Sequence, residues 1–448
     1  IRGTRLDGNR FMPRAIAKGA VAVVSALDPV QAVALPWIQV VDERAAMAAI
    51  AANFYGHPTR DLHLIGVTGT NGKTTTTYIV ESILRAAGKP AAVFGTIEYR
   101  GPGFDSTAER TTPEAPDLEK LFRQVVDAGW RHAVMEVSSH AIEMKRVAGL
   151  QFDVAVFTNL SRDHLDFHGD MESYFRAKRK LFEGLIGTRP RVMVLNADDE
   201  RYGDLRSIDP SRVISYGMQV ASDICPVRHQ FGWEATDATF KTPIGELKVQ
   251  TSLMGKANLF NIGAAIGVGV ALAIPADAIS RGIQQLRHVP GRFENVSAGQ
   301  PFRVIVDYAH TDDALQKVLK SAREITSGRL IVVFGCGGER DRTKRPLMGE
   351  VAVRESDCAI VTSDNPRSED PIAIIREIEE GMEGVEHKVE VDRRKAIRLA
   401  LLEAKEGDTV LIAGKGHETY QTIGTTVHPF DDRVVTKELL HELNIGRN

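Results

Sequence analysis

Gly66-Val67-Thr68-Gly69-Thr70-Asn71-Gly72-Lys73-Thr74-Thr75 is the stretch that decides how this chain is organised. It follows the apolar run Leu62–Thr68 and precedes a helical pattern over Thr74–Ala87 closed by Gly88, so it joins a strand to a helix. Glycines let such a backbone curl until its N–H groups face one point, where the helix N-terminus adds positive potential. A triphosphate fits there, with Lys73 reaching the outer phosphates and the Thr74 hydroxyl placed for Mg²⁺. The pattern GxxxxGK[ST] needs glycine at position 67, where Val67 stands, so this is a variant loop, GxxGTNGKTT. A glycine-rich turn closing on a helix cap is the alternative.

Outward from the loop, short apolar strands alternate with helical patterns. Pro90–Phe94, Ala133–Val137, Val154–Thr158 and Val192–Leu195 read as strands, and Leu118–Ala128 as a helix. Cys225 to Met254 reads as an antiparallel flap. Ile262–Ile274 is Gly/Ala-rich, stops at Pro275 and falls short of the ~20 residues that span a bilayer, so it reads as a buried helix. A helix near Ala276–Leu286 leads to Pro290-Gly291. The rhythm then restarts, with strands Phe302–Val306, Leu330–Phe334, Ala359–Thr362 and Thr409–Ala413, and helices Asp312–Ile325, Pro371–Met382 and Arg393–Ala404. Before the loop lies a small unit with a strand over Ala20–Val24 and a helix over Glu43–Tyr55.

The expected fold class is α/β in three domains. These are a small N-terminal α/β domain (1–60), a central P-loop ATPase-type parallel-sheet domain (61–290) and a C-terminal Rossmann-like domain (291–448). The 448 residues agree with that division at ~150 residues per domain.

Lys plus Arg is 56 and Asp plus Glu is 59, a net charge of −3 that lacks the basic excess of a nucleic-acid binder. Three scattered cysteines give no disulfide framework or zinc spacing and make the reducing cytoplasm the expected compartment. Neither a signal peptide nor membrane insertion is read, and a monomer is expected. The opening Ile1-Arg2-Gly3 reads as the interior of a domain whose first strand lies upstream.

Polar clusters follow the strands, at the sheet edge where open α/β folds bind ligands. Glu136, in Val134-Met135-Glu136-Val137-Ser138-Ser139-His140, is costly to bury unless it meets a metal ion or a salt-bridge partner. Thr158 to Gly169 is dense in ligand atoms, although His164 and His168 also read as surface groups. Lys178, on the following helix, reads by itself as solvent-facing. The C-terminal third carries Asp307-Tyr308-Ala309-His310, Gly335 to Asp341, Asp364-Asn365-Pro366-Arg367 and Gly414-Lys415-Gly416-His417-Glu418. Together they outline a pocket. Arg340, Arg342, Lys344 and Arg345 also read as a solvated basic loop.

The segments GTNGKTT, MEVSSHA, NLSRDHLDFHGDMESYFRAK, NADD, DYAHT, FGCGGERDRTKRPLMG, SDNPR and AGKGHE together resemble the Mur ligases, from Gly3 to about Gln421. The resemblance implies an ATP-dependent amide ligase of peptidoglycan synthesis, an activity of cell-wall biogenesis, cell shape and division. In that family a substrate carboxylate takes the γ-phosphoryl group of ATP, and the resulting acyl phosphate is attacked by the amine of an amino acid. The substrates implied are UDP-N-acetylmuramoyl-L-alanyl-D-glutamate, held by the first domain, ATP by the second and meso-diaminopimelate by the third.

Carried onto matching positions, Gly69, Thr70, Asn71, Gly72, Lys73, Thr74 and Thr75 form the phosphate loop. Thr74 and Glu136 hold one Mg²⁺, and His164 serves a second. Lys178 matches the lysine that the family carbamylates, CO₂ turning the cation into an anion that can ligate Mg²⁺. Lys73, Glu136, His164 and Lys178 are then the catalytic set. Asn258 and Asn261 match nucleotide contacts, and Arg292 and His310 cross-domain ATP contacts. Thr111, Thr112, Ser138 and Arg146 match the muramoyl-dipeptide site, and Thr4, Arg5 and Leu6 a segment near the uridine. Two departures stand out: Met144 replaces a Gln found in some members, and Asp312 replaces the usual Pro, which changes only a helix start.

Diaminopimelate differs from lysine by a second carboxylate. Arg367, in Asp364-Asn365-Pro366-Arg367, offers a planar fork for it, and lysine-adding relatives generally lack that Arg. Arg340, Gly414 and Glu418 match further amino-acid contacts, with Glu418 suited to an ammonium. The alternatives are a lysine-adding ligase, a folylpolyglutamate-synthetase-like ligase and, more distantly, a P-loop NTPase that drives a partner.

Overall fold

The computed structural model describes all residues except 2, 4–6, 30–34, 219–220, 234, 444 and 446–448. Among the described residues the strands fall into five sheets. The first pairs β1 (Val23–Ser25) with β2 (Trp37–Gln39) in parallel, followed by α1 (Glu43–Phe54). The Asp42 side chain caps α1 by accepting from the N–H groups of Arg44 and Ala45. The strand expected over Ala20–Val24 thus begins later, at Val23. The expected uridine segment Thr4, Arg5 and Leu6 lies outside the described residues.

The central sheet starts with β3 (His63–Thr68), which feeds α2 (Lys73–Ala86), then β4 (Ala91–Phe94) and the hairpin β5 (Glu98–Gly101) and β6 (Phe104–Thr107). After α3 (Ala115–Asp127) come β7 (His132–Glu136), β8 (Val154–Phe157), α4 (Met171–Glu183), β9 (Val192–Asn196) and β10 (Val213–Tyr216). Their order is β10-β9-β8-β3-β7-β4-β5-β6. The chain leaves β3 towards β4 and β7, then returns to β8 on the other side. The crevice between β3 and β8 is therefore the switch point of the sheet.

Alternation along the strands explains the layering. Ile65, Val67, Val93, Val134, Val156 and Val194 face one way, onto Ile79 and Ile83 of α2 and onto Ile262 and Ile266. Leu64, Phe94, Met135 and Phe157 face the other, onto Phe122 of α3 and Phe182 of α4. Burying each large apolar side chain contributes about 1.5–3 kcal/mol. A three-stranded antiparallel sheet, β11 (Cys225–Phe231), β12 (Thr236–Thr242) and β13 (Gly245–Thr251), stands where the flap was expected.

The apolar helix α5 (Lys256–Ala271) lies on the sheet because its glycines leave room. A Cβ on Gly267 would stand 2.6 Å from a Val194 methyl. Next comes α6 (Ala276–Gln285).

The second large sheet runs β14 (Glu294–Asn295), β15 (Arg303–Asp307), β16 (Leu330–Phe334), β17 (Cys358–Val361), β18 (Lys388–Val389) and β19 (Thr409–Ala413). Its order is β14-β15-β19-β16-β17-β18. Helices α7 (Asp312–Glu324), α8 (Lys344–Glu355) and α9 (Pro371–Glu379) cover one face. Helices α10 (Arg393–Glu403) and α11 (Asp432–Glu442) cover the other. A hairpin, β20 (Tyr420–Ile423) and β21 (Thr426–Pro429), completes the chain's strands.

Candidate active site

The loop after β3 meets the loop after β8 across the switch point. Thr70 N–H donates to the Asn159 carbonyl at 2.8 Å, Asn71 N–H to Asn159 Oδ1 at 3.0 Å, and Thr158 Oγ1 to the Asn71 carbonyl at 2.6 Å. This close packing needs glycine. Gly69 has φ 142°, and a Cβ there would lie 1.9 Å from Thr158 Oγ1; Gly72 has φ 85°, and a Cβ would lie 2.4 Å from Asn261 Oδ1. Val67, at the missing glycine position, is instead a fully buried strand residue in register with Glu136 and Val156. The variant pattern thus belongs to the strand and leaves the cradle intact.

Lys73 opens α2 and folds back over the cradle, donating to the carbonyls of Gly69 at 3.0 Å and Thr70 at 2.7 Å. Burial lowers its pKa, against the pull of Glu136 and Asp163. Thr74 Oγ1 donates to Glu136 Oε1 at 2.9 Å, and Thr75 is buried beside it. Glu136 is 1% exposed and accepts from Thr96 N–H at 2.8 Å and Thr96 Oγ1 at 3.0 Å. Among the described residues it makes no salt bridge, so hydroxyls and an amide satisfy it.

Lys178 corrects the solvent-facing reading. It is 2% exposed, donates to the Gly69 carbonyl at 2.9 Å and stands 4.4 Å from the Tyr174 ring centroid. Burial, and then the like charge of Lys73, hold its pKa well below the usual lysine value. Tyr174 Oη in turn meets Thr70 Oγ1 at 3.2 Å. His164 sits at φ 54° with its ring centroid 4.8 Å from His140 and 6.1 Å from Tyr174. Its side chain is 44% exposed and lies 3.5 Å from Asp163 Oδ2. Partial desolvation lowers its pKa against the pull of Asp163, which favours the neutral imidazole able to ligate a cation.

One wall of the site continues from Glu136. Thr96 Oγ1 meets Thr111 Oγ1 at 3.1 Å, and Thr112 Oγ1 donates to the Glu136 carbonyl at 2.8 Å and accepts from Ser138 N–H at 3.2 Å. Arg146 donates to the Thr112 carbonyl at 3.2 Å and pairs with Glu114 at 3.0 Å. Its neighbour Met144 contributes only a sulfur, 3.4 Å from Arg146 Nη2. Beneath the loop, Asn261 Nδ2 donates to Asn258 Oδ1 at 3.1 Å, and Asn258 Nδ2 to the Met254 carbonyl at 2.8 Å.

The second sheet edge faces this cradle. Arg292 Nη2 reaches Thr74 Oγ1 at 3.2 Å, its guanidinium 4.5 Å from the Tyr308 ring centroid. His310 Nδ1 donates to the Tyr308 carbonyl at 2.9 Å, which leaves Nε2 as an acceptor. Sequence reasoning missed a further cross-link. Asn71 Nδ2 and Ser161 Oγ both donate to Asp313 Oδ2 of α7, at 3.1 and 2.6 Å. Thr311 caps α7, which starts at Asp312, where the expected Pro is replaced.

The amino-acid motifs converge at the ends of β16, β17 and β19. Asn365 Nδ2 donates to Glu418 Oε2 at 2.8 Å. Gly414, at φ 114°, leaves space for Asp364 Oδ2, which would lie 2.7 Å from a Cβ. Arg367, at φ 53°, donates to the Gly338 carbonyl at 2.7 Å and pairs its backbone with Thr422 and Gly424 of the β20–β21 hairpin. Arg340 and Arg367 both flank Gly337, and the Pro366 carbonyl packs against Gly338. Lys415, assigned no role from sequence, is fully buried and donates to Glu418 Oε2 at 3.1 Å and Asn365 Oδ1 at 3.3 Å. Burial raises the pKa of Glu418, and Lys415 opposes that.

The solvated-loop reading of the basic run holds for Arg340 and Arg342, which are exposed, and is corrected for Lys344 and Arg345. Arg345 is fully buried and paired with Glu369 at 2.9 Å and Glu377 at 2.8 Å, while Lys344 donates to the His310 carbonyl at 2.6 Å.

Two family models match: the Mur ligase middle domain over residues 67–269, and the Mur ligase, glutamate ligase domain over residues 291–416. The chain is 50% identical over 443 residues to the UDP-N-acetylmuramoyl-L-alanyl-D-glutamate–2,6-diaminopimelate ligase of Solibacter usitatus, covering 98% of this chain and 89% of that one. The ligase of the same name from Gloeobacter violaceus is 50% identical over 442 residues, with 98% and 89% covered. The chain belongs to the Mur ligase family. A solved structure under that ligase name superposes with a TM-score of 0.68 at 32% identity, covering 97% of this chain and 89% of that one. A Mur ligase family relative, the MurF ligase of Thermotoga maritima solved with ADP, shares the fold at TM-score 0.63 and 20% identity, with 99% and 92% covered. Family membership makes the chain an ATP-dependent, amide-forming ligase with the three-domain α/β architecture of the Mur ligases.

The cradle fits the phosphates and Mg²⁺ that such a ligase uses. Two glycines clear the space, and Thr74 and Glu136 supply adjacent buried oxygens, the donor type that a hard cation takes. Among the described residues no group of three or more His, Cys, Asp or Glu side chains could hold a metal alone. Hydroxyl and phosphate oxygens would have to complete the shell. No helix among them is long and apolar enough to cross a membrane.

Proposed function

We propose that this chain joins meso-2,6-diaminopimelate to UDP-N-acetylmuramoyl-L-alanyl-D-glutamate at the expense of ATP, a step of peptidoglycan precursor synthesis that serves cell-wall growth and division in the cytoplasm. The observation that carries this reading is the pocket at the ends of β16, β17 and β19. A fork donor at Arg367, a carboxylate pair at Asp364 and Glu418 and a second arginine at Arg340 match an amino acid with two ammonium–carboxylate ends. Lysine at the same place would leave Arg367 without a carboxylate and bring in a second cation, which supports diaminopimelate over the lysine-adding alternative.

On this reading residues 1–60 hold the uridine end, 61–290 ATP and 291–448 the amino acid, in a monomer. The Gly69–Thr75 backbone and Lys73 bind the phosphates. Thr74 and Glu136 hold one Mg²⁺, and His164 with Lys178, as its carbamate, holds a second. Mg²⁺ neutralises phosphate charge when bound. Asn258, Asn261, Arg292 and His310 orient the nucleotide, and Thr111, Thr112, Ser138 and Arg146 the dipeptide.

The D-glutamyl carboxylate oxygen bonds to the γ-phosphorus and ADP leaves. The amine lone pair then bonds to the acyl carbon, the amine gives up a proton, and the C–O bond to phosphate breaks. Glu418 and Asp364 place the ammonium end of the amino acid, while Arg367 and Arg340 hold its distal carboxylate. A buried lysine with a depressed pKa is partly neutral, the form that adds CO₂, which supports the carbamate on Lys178. Phosphate release that depends on the dipeptide substrate and on diaminopimelate tests the whole assignment; release without amine would favour an NTPase.

A further inference from the structure

Arg393 is the first residue of α10 and is 1% exposed. Its Nε and Nη2 donate to the two carboxylate oxygens of Asp432 at 2.8 and 2.7 Å, and Asp432 is itself fully buried at the start of α11. The remaining donors do not serve the helices. Nη2 reaches the Ala413 carbonyl at 3.0 Å and Nη1 the Ser363 carbonyl at 3.5 Å. Those carbonyls belong to the residues immediately before Gly414 and Asp364. Ala413 is the last residue of β19 and Ser363 stands two residues past the end of β17, at the roots of the loops that form the two halves of the amino-acid pocket.

The strands concerned, β19 and β17, are not neighbours: each pairs with β16 between them, so the ladders set the strands but no ladder hydrogen bond joins the loops that leave their ends. At the pocket itself the two loops touch through Asn365, Glu418 and Lys415. At their roots the planar fork of one guanidinium bridges them.

We propose that Arg393 is the positioning residue that sets the spacing of the Asp364–Arg367 and Gly414–Glu418 loops, and with it the affinity for the incoming amino acid. This inference rests on the proposed function of that pocket. The charge acts in the same sense as the geometry. Burial works against the guanidinium's charge, and Asp432, then Asp364 and Glu418, outweigh it, so the cation supports both pocket carboxylates from below. A lysine cannot reproduce the bridge, because its single point charge cannot serve Asp432 and two carbonyls on different strands at once.

Two variants of the full chain test this. Arg393→Lys keeps the charge and removes the fork. Arg393→Met/Asp432→Leu removes both buried charges together, avoiding the unpaired carboxylate that a single substitution would leave. Phosphate release is followed with ATP, Mg²⁺, the UDP-muramoyl dipeptide and meso-diaminopimelate, alongside thermal melting. In both variants KM for diaminopimelate should rise by roughly tenfold or more, the order that small misplacements cost. KM for ATP and for the dipeptide should stay within about twofold in the same assays. An unchanged diaminopimelate KM in a folded variant, or a parallel rise of all three values, would overturn the inference. Failure of the functional reading would appear in the unsubstituted chain, as release that does not depend on diaminopimelate.

Discussion

Lys178 Nζ lies 2.9 Å from the carbonyl oxygen of Gly69, inside the phosphate loop, on a side chain that is 2% exposed. A helical lysine facing solvent would never touch that loop. Here the Tyr174 ring and the loop enclose it, and Lys73 adds a like charge nearby.

Burial and Lys73 depress the Lys178 pKa, so the uncharged amine gains population as pH rises towards neutrality from below, and carbamate formation should follow the same direction. Lys178→Ala is expected to abolish turnover, with partial rescue by short carboxylic acids that replace the lost anion. Phosphate release with and without added acetate checks this. Full activity of the unsubstituted enzyme in CO₂-depleted buffer would contradict the carbamate.

Arg367→Ala should lose most diaminopimelate-dependent turnover while ATP binding is retained. A charge-assisted hydrogen bond is worth about 1.5–3 kcal/mol, which corresponds to roughly ten- to a hundredfold in kcat/KM. Steady-state kinetics beside nucleotide titration separates the two effects. Undiminished turnover would remove Arg367 from the specificity assignment.

Lys415→Met removes the cation that opposes the burial of Glu418. Without it the Glu418 carboxyl titrates higher still, so a larger share is protonated at any acidic pH. The acidic limb of the pH profile of kcat/KM for diaminopimelate should move to higher pH. An unmoved limb would show that Lys415 does not set the ionisation of Glu418.

Glu119 on α3 is 2% exposed, and among the described residues its Oε2 has no hydrogen-bond partner. Burial raises its pKa from 4.5 to about 7. The folded chain therefore holds a proton that the unfolded chain releases, and this group lowers stability as pH rises from 4.5 to 7. Glu119→Met should stabilise by about 1–3 kcal/mol at pH 8, the desolvation cost of an unpaired buried group, and by much less at pH 4. Denaturant melts at the two pH values decide it.

The strand ends of both large sheets were legible because each apolar run stops at a glycine or polar cluster; Leu330–Phe334 and Thr409–Ala413 stand as read. The antiparallel sheet β11–β13 was legible, but the hairpins β5–β6 and β20–β21 were not. Strands β20 and β21 are mostly exposed and polar, so no apolar alternation marks them, and the backbone of Arg367 holds the hairpin in place. The buried lysines and Arg345 were also hidden. Composition assigns such residues to the surface, and only tertiary partners such as Glu369, Glu377 and the Gly69 carbonyl make their burial tolerable. The cross-link from Asn71 to Asp313 joins positions far apart in sequence, so no local pattern announces it.

The most direct test of the account measures phosphate release from ATP with Mg²⁺ and UDP-N-acetylmuramoyl-L-alanyl-D-glutamate, adding meso-diaminopimelate or L-lysine in turn. The account predicts release with diaminopimelate, little with lysine, and none above background without an amine. Equal release with lysine, or release that needs no amine, would contradict it.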